Sequence, residues 1–121
     1  MRREIDYSLA KKSVVRDYRR GALHRMDVCD AHPELVRAAR NLGRESTEKC
    51  PICGETELRY VSYVYGEGLK VGNGRAVATS AELRKLSKSH DLLECYDVEV
   101  CLACSWNYRV RQFSFGRRTA G

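Results

Sequence analysis

No run of consecutive apolar residues in this chain exceeds a few positions, whereas a membrane-spanning helix needs about 20. Its start, Met1-Arg2-Arg3-Glu4-Ile5-Asp6, is charged and is not followed by an apolar segment, so the pattern of a secretory signal is missing. Also missing are a Ser-His-Asp set, a His-Glu-x-x-His motif and any recognisable pair of carboxylates. The glycine-rich passage with Gly66, Gly68, Gly72 and Gly74 fits neither a Walker A loop nor a dinucleotide fingerprint. It reads as a turn, with Asn73-Gly74 favouring a tight one. These absences set the expectation of a cytoplasmic, non-enzymatic protein with no membrane and no small-molecule substrate.

What the chain does have is cysteine in a telling arrangement. Cys50-Pro51-Ile52-Cys53-Gly54 finds a counterpart far downstream in Cys101-Leu102-Ala103-Cys104. Thiols stay reduced in the cytoplasm, where a double Cys-x-x-Cys points to metal more than to disulfides. Four thiolates at about 2.3 Å close a tetrahedral zinc site and leave no position open for catalysis. We therefore expect one structural Zn²⁺ held by Cys50, Cys53, Cys101 and Cys104. Pro51 stiffens the first turn, and Gly54 can leave it with a positive φ. Residues 54–100 separate the two pairs, which a zinc ribbon tolerates because the ion needs only the two knuckles. Cys29 and Cys95 have no partner at ligand spacing and read as small buried hydrophobes. His24, His32 and His90 are scattered.

At 121 residues the chain is one domain, with the possibility of an appended arm. Its formal charge is +6 and its pI about 9.1. Four thiolates and a divalent ion would lower that charge to about +4. This is moderate, and it suits an acidic protein surface as well as RNA or DNA.

In chain order, residues 6–20 read as a helix with Asp6 at its N-cap, Gly21 beyond its end and an apolar stripe of Tyr7, Ala10, Val14 and Tyr18. Lys11, Lys12, Arg16, Arg19 and Arg20 surround that stripe. They form either a solvated face or a basic arm for phosphate or an acidic partner. Residues 22–31 read as a connector. Pro33 then opens a helix at N1, Leu35, Ala38, Ala39 and Leu42 share one face, and Gly43 ends it. Ser46-Thr47-Glu48-Lys49 reads as a polar linker. Residues 58–65 alternate as a strand in which Tyr63 and Tyr65 share a face with Val61, opposite Tyr60. Thr79-Ser80-Ala81-Glu82 is a capping box for a helix over 80–90, with Ala78 and Leu83 as its staple. Strands follow at 93–100 and 106–115, the latter with Trp106, Tyr108 and Val110 on one face and Arg109, Arg111 and Phe113 on the other. Along that last strand and its tail, Arg109, Arg111, Arg117 and Arg118 interleave with Phe113 and Phe115. The pattern offers guanidinium groups for phosphate and rings for bases, or else it packs inside.

Together these elements predict an α+β zinc ribbon: a three-stranded antiparallel sheet with two knuckles, N-terminal helices and a helix between the knuckles. The divisions are an N-terminal helical arm (1–45), a ribbon domain (46–116) with an insertion at 66–92, and a basic tail (117–121). Asp6-Tyr7, Val28-Cys29-Asp30-Ala31 with Pro33, Leu35 and Arg37-Ala38-Ala39, the first knuckle, and Cys101-Leu102-Ala103-Cys104-Ser105-Trp106-Asn107 resemble a family of small actinobacterial proteins, a domain of unknown function. That resemblance covers nearly the whole chain, implies an actinobacterial cytoplasmic protein, and gives Cys29 more weight than its isolation does. The knuckles are also similar to ribbons of transcription factors, RNA polymerase subunits and ribosomal proteins. The resulting expectation is a non-enzymatic factor that binds RNA polymerase or the ribosome. The alternative is a protein-only adaptor that docks through its helices.

Overall fold

In the computed structural model, residues 3–66, 69 and 74–119 are described. The order is β1 (Glu4–Asp6), α1 (Ser8–Arg19), α2 (Arg25–Val28), α3 (Pro33–Leu42), β2 (Arg44–Lys49), β3 (Glu57–Tyr65), β4 (Arg75–Val77), α4 (Ser80–Ser89), β5 (Leu93–Val100), β6 (Asn107–Phe115) and a 3-10 turn, Arg117–Thr119. The strands form one sheet in the order β1-β6-β5-β3-β2, with β4 also on β3. All its pairings are antiparallel. The protein is therefore α+β, with a ribbon at its centre.

The expected three strands are β3, β5 and β6. Three short edge strands extend them, which the sequence reading missed. β2 was read as a linker because its residues are polar and mostly exposed, so they show no apolar alternation. Its backbone nevertheless pairs with β3, Arg44 opposite Tyr60 and Lys49 opposite Glu57. β1 takes Asp6 out of the helix: α1 starts two residues later, and Asp6 Oδ1 accepts a hydrogen bond from the Ser8 backbone at 2.8 Å. Tyr7 holds the N-cap position without a side-chain bond. The connector 22–31 contains the single turn α2. Residues 1–45 thus add an edge strand and helices to the same sheet. Gly68, Gly72 and Asn73 of the proposed turn lie outside the described residues.

Local chemistry explains the helix ends. Pro33 occupies the first turn of α3, where its missing N–H is harmless, and His32 Nδ1 accepts from the Glu34 backbone. Thr79 Oγ1 accepts from the Glu82 backbone at 3.2 Å, as a capping residue should. The Glu82 carboxylate reaches one residue further back than a capping box requires, to the Ala78 N–H.

The sheet has two unlike faces. One, bearing Val61, Val98 and Val100, is covered over part of its length by Leu35, Val36, Ala38 and Ala39 of α3. The other carries two apolar clusters. Leu86 of α4 packs with Val64, Val77, Leu93, Cys95, Phe113 and Phe115. Val15 of α1 packs with Val28, Leu58, Trp106, Cys50 and Cys101. The core assignment expected for Cys95 is met: it is fully buried and joins an apolar cluster. Burial, then the nearby Asp97 charge, pushes its thiol up to about 12.

A β-bulge shapes β6. Asp97 lies opposite Arg111 and Val98 opposite Arg109, so Val110 is an extra residue. Its carbonyl accepts the Tyr7 N–H at 2.9 Å. The bulge puts Arg109 on the face of Val98, and Arg111 with Phe113 on the face of Asp97. This corrects the sequence reading, in which strict alternation placed Arg109 and Arg111 together.

Between the two apolar clusters runs a line of buried charge. Glu99 is 0% exposed, yet it accepts from Lys11 Nζ and from Trp106 Nε1, each at 2.7 Å. Asp97 accepts from Ser62 Oγ at 2.7 Å and Arg111 Nε at 2.9 Å. Buried carboxylates are tolerable only when bonded in this way. Removing one partner of such a pair strands the other charge. Lys11→Met should therefore cost about 3 kcal/mol, read as a lower urea midpoint followed by Trp106 fluorescence. An unchanged midpoint would mean that Glu99 is adequately held by the indole alone.

Candidate metal centre

The two knuckles share one turn, closed one residue later in the first than in the second. In the first, Cys50 N–H donates to the Thr56 carbonyl at 2.9 Å and Gly54 N–H to the Cys50 carbonyl at 3.0 Å. In the second, Cys101 N–H donates to Trp106 O at 2.9 Å and Ser105 N–H to Cys101 O at 3.0 Å. Both turns end on a left-handed residue, Gly54 at φ +66° and Ser105 at φ +70°. Gly54 was expected there. Ser105 is a conformation that L-residues adopt at a cost. The β3–β5 pairing, with Arg59 opposite Val100, brings the two turns side by side.

All four sulfurs lie within 4.8 Å of one another. Cys50 and Cys104 are 3.7 Å apart, and Cys53 and Cys101 3.6 Å. A tetrahedron with metal–sulfur bonds of about 2.3 Å has edges of about 3.8 Å, so two of its edges are already matched and the four sulfurs are close enough to share a single ion. Backbone N–H groups of Ile52 and Cys104 point at Cys50 Sγ and Cys101 Sγ, at 3.4 and 3.5 Å. Burial raises the Cys50 and Cys104 thiols. Burial also acts on Cys101, but the Thr56 hydroxyl 3.1 Å away and two backbone N–H groups outweigh it and bring its thiol to about 7. An entering metal would displace the remaining protons. The four cysteines could hold a metal ion, and all four would be ligands.

The fold and this cluster accompany a whole-length family match. A family of unknown function, DUF5318, matches residues 1–121. The chain belongs to that family. Uncharacterised proteins of Mycobacterium bovis and of two Mycobacterium tuberculosis strains are each 38% identical over 112 residues, covering 93% of this chain and 81% of theirs. This agrees with the resemblance to small actinobacterial proteins. No solved structure matches the chain.

Within this DUF5318 chain, the structure explains why two of its sequence motifs go together. Val28-Cys29-Asp30-Ala31 docks on Cys104-Ser105-Trp106-Asn107. Val28 enters the cluster beside the metal ligands, and Asp30 Oδ1 accepts from Asn107 Nδ2 at 3.0 Å. Ala31 N–H donates to the Ser105 carbonyl at 3.0 Å, bracing the strained residue. Cys29 donates its S–H to Cys104 Sγ at 3.4 Å. The isolated-hydrophobe reading of Cys29 therefore needs correction: it packs against the apolar cluster but is only half-buried and touches Cys104, one of the four candidate ligands. Arg25 stands over the same sulfurs. Desolvation is the largest single influence and opposes its charge, but the Cys104 and Cys29 sulfurs together outweigh it and raise its pKa. Spacing alone gave no sign of this, because 75 positions separate Cys29 from Cys104.

The expected binding residues are divided by the fold. Lys12, Arg16, Arg19 and Arg20 lie exposed along α1. Among the described residues Lys12, Arg16 and Arg19 have no acidic partner, while Arg20 pairs with Asp17 at 3.1 Å. Lys11 is committed to Glu99. Arg111 is committed to Asp97 and Glu4, at 2.9 and 3.2 Å, and Phe113 is 4% exposed. Arg111 was expected to meet phosphate or an acidic partner and Phe113 either a base or the interior; Phe113 takes the interior, and Arg111 helps to fasten β1, β5 and β6 together. Arg109 is exposed, Arg117 pairs with Asp91 at 2.8 Å, and Arg118 is exposed beside it.

Cys104→Ser should release the metal, as should Cys50→Ser, Cys53→Ser or Cys101→Ser, by elemental analysis of the purified protein. Cys29→Ser should keep a full equivalent. Equal loss from Cys29→Ser would make it a ligand and overturn the four-cysteine assignment.

Proposed function

We propose that this protein is a non-enzymatic zinc-ribbon factor that docks on a nucleic-acid machine, RNA polymerase or the ribosome, through the basic face of α1. The observation that carries this reading is a groove of about 530 Å³ beside the first knuckle. Lys11, Lys12, Arg16, Arg19 and Arg20 surround it, and Val15 and Pro51 form its floor. Three of those cations are unneutralised, so they face solvent as a concentrated positive field that favours a polyanionic surface.

Zinc is the metal that suits four thiolates in a closed tetrahedron. Such an ion is structural and contributes on the order of 10 kcal/mol to folding. In this reading the ion fixes the knuckle against which α1 lies, and recognition belongs to the helix. Among the described residues no carboxylate or imidazole is hydrogen-bonded to the sulfurs, and four thiolates would fill a tetrahedral ion, which supports a binding role over catalysis. The protein acts in the cytoplasm, where the thiols remain reduced.

The apolar floor favours a second reading, a protein-only adaptor, because phosphodiesters offer nothing to cover Val15 and Pro51. Tagged protein, captured from an actinobacterial lysate with and without nuclease, separates the two. Polymerase or ribosomal components should copurify at low salt and fade as salt rises. Replacing Lys12, Arg16 and Arg19 together by alanine should reduce capture at least tenfold while leaving the metal content intact. Recovery of neither machine, or equal capture by the triple variant, would refute the proposal. Retention of one protein after nuclease, with no RNA or DNA, would establish the adaptor.

A further inference from the structure

α3 leaves part of its sheet face open. Beyond Tyr63 and Val98, which border the cluster under the helix, this part carries Tyr65, Tyr96 and Arg109, and the five residues surround a cavity of about 460 Å³. Tyr63 and Tyr96 are directly opposite one another across β3 and β5. Tyr65 meets Tyr96 edge to face at a centroid distance of 5.2 Å. The Arg109 guanidinium lies 4.8 Å above the Tyr96 ring and 5.3 Å from that of Tyr7. The bulge at Val110 is what brings Arg109 to this face.

We infer that this patch is a stacking platform for unpaired nucleic-acid bases. The rings are held in place before any ligand arrives. Tyr65 lies against Gly74, where an added Cβ would come within 2.5 Å of its ring. Tyr96 is fixed between Tyr65 and Arg109. Among the described residues no carboxylate pairs with Arg109, so its charge is available to a phosphate. Glu94, next on this face, accepts from Ser114 Oγ at 2.9 Å and does not line the cavity. A cationic ligand is disfavoured because the Arg109 guanidinium would repel it, whereas a base can stack on the layer that this guanidinium and the Tyr96 ring make together. A purely aliphatic partner would meet one aliphatic side chain, Val98, among rings. Flat faces beside an unneutralised guanidinium match a base and its phosphate. An open sheet surface suits a strand more than an enclosed mononucleotide.

This surface is separate from the α1 groove and does not depend on the docking reading. The test uses the metal-loaded full chain and fluorescein-labelled uridine 12-mers, with fluorescence anisotropy as the readout. A duplex of equal length and uridine monophosphate serve as competitors. The single strand should bind, and neither the duplex nor the monophosphate should compete well. Tyr96→Ala and Arg109→Ala should each weaken binding at least fivefold, and Tyr96→Phe should leave it unchanged, since the ring and not the hydroxyl stacks. Arg109 is exposed, so its variant tests the platform even if Tyr96→Ala unfolds. Absence of single-strand binding, equal competition by duplex, or full affinity in Arg109→Ala would overturn the inference. So would binding abolished by the Lys12, Arg16 and Arg19 triple variant but unaffected at Tyr96, because the strand would then belong to α1.

Discussion

Four sulfurs must converge although residues 54–100 lie between the two pairs that supply them. The β3–β5 pairing meets this requirement. Seven consecutive cross-strand positions, from Arg59 opposite Val100 to Tyr65 opposite Glu94, deliver one knuckle beside the other. Everything between them, including β4 and α4, closes a loop whose ends are fixed by that ladder. A metal bound there would add a clamp to an alignment the backbone already makes. Because the clamp needs only the strand ends, the intervening chain can be long without weakening the site.

The sheet's inner face solves a second problem. Two apolar clusters, one under α1 and one under α4, do not merge. Two hydrogen-bonded sets, Ser62–Asp97–Arg111 and Lys11–Glu99–Trp106, occupy the space between them. An all-apolar strip would hold the layers at least as strongly, since buried ion pairs often stabilise less than hydrocarbon. What the polar strip contributes is register. Asp97 satisfied by Arg111 fixes β6 against β5, and Glu99 satisfied by Lys11 fixes where α1 lies. A slip of either element would leave a bare carboxylate inside.

Much of this was legible from residue order. The four ligands follow from spacing, α3 and α4 from Pro33 and Thr79, and β3, β5 and β6 from alternation. The parts that were not legible share a cause: their residues are polar yet structural. β2 gives no apolar signal because it is an edge strand joined mainly through its backbone. Asp97 and Glu99 look like surface carboxylates until their partners, from elements as distant as Lys11, are known. Cys29 lacks a local companion because its neighbour Cys104 arrives through the tertiary fold. The binding-surface assignment split for the same reason, with Lys11 and Arg111 turned inward and Arg16 and Arg109 left outside.

The single additional residue at Val110 has a consequence for the family. It reverses the phase of β6, so that inside and outside exchange at mid-strand: Trp106 and Tyr108 share the interior with Arg111 and Phe113, and not with Gln112. A relative without that residue would still pair Arg111, Phe113 and Phe115 with Asp97, Cys95 and Leu93, because the ladder is regular on both sides of the bulge, but it would lose the Val110 carbonyl that receives the Tyr7 N–H. A DUF5318 chain lacking it should therefore keep the same interior residues along β6 and differ instead where β1 hands over to α1, at the position of Tyr7.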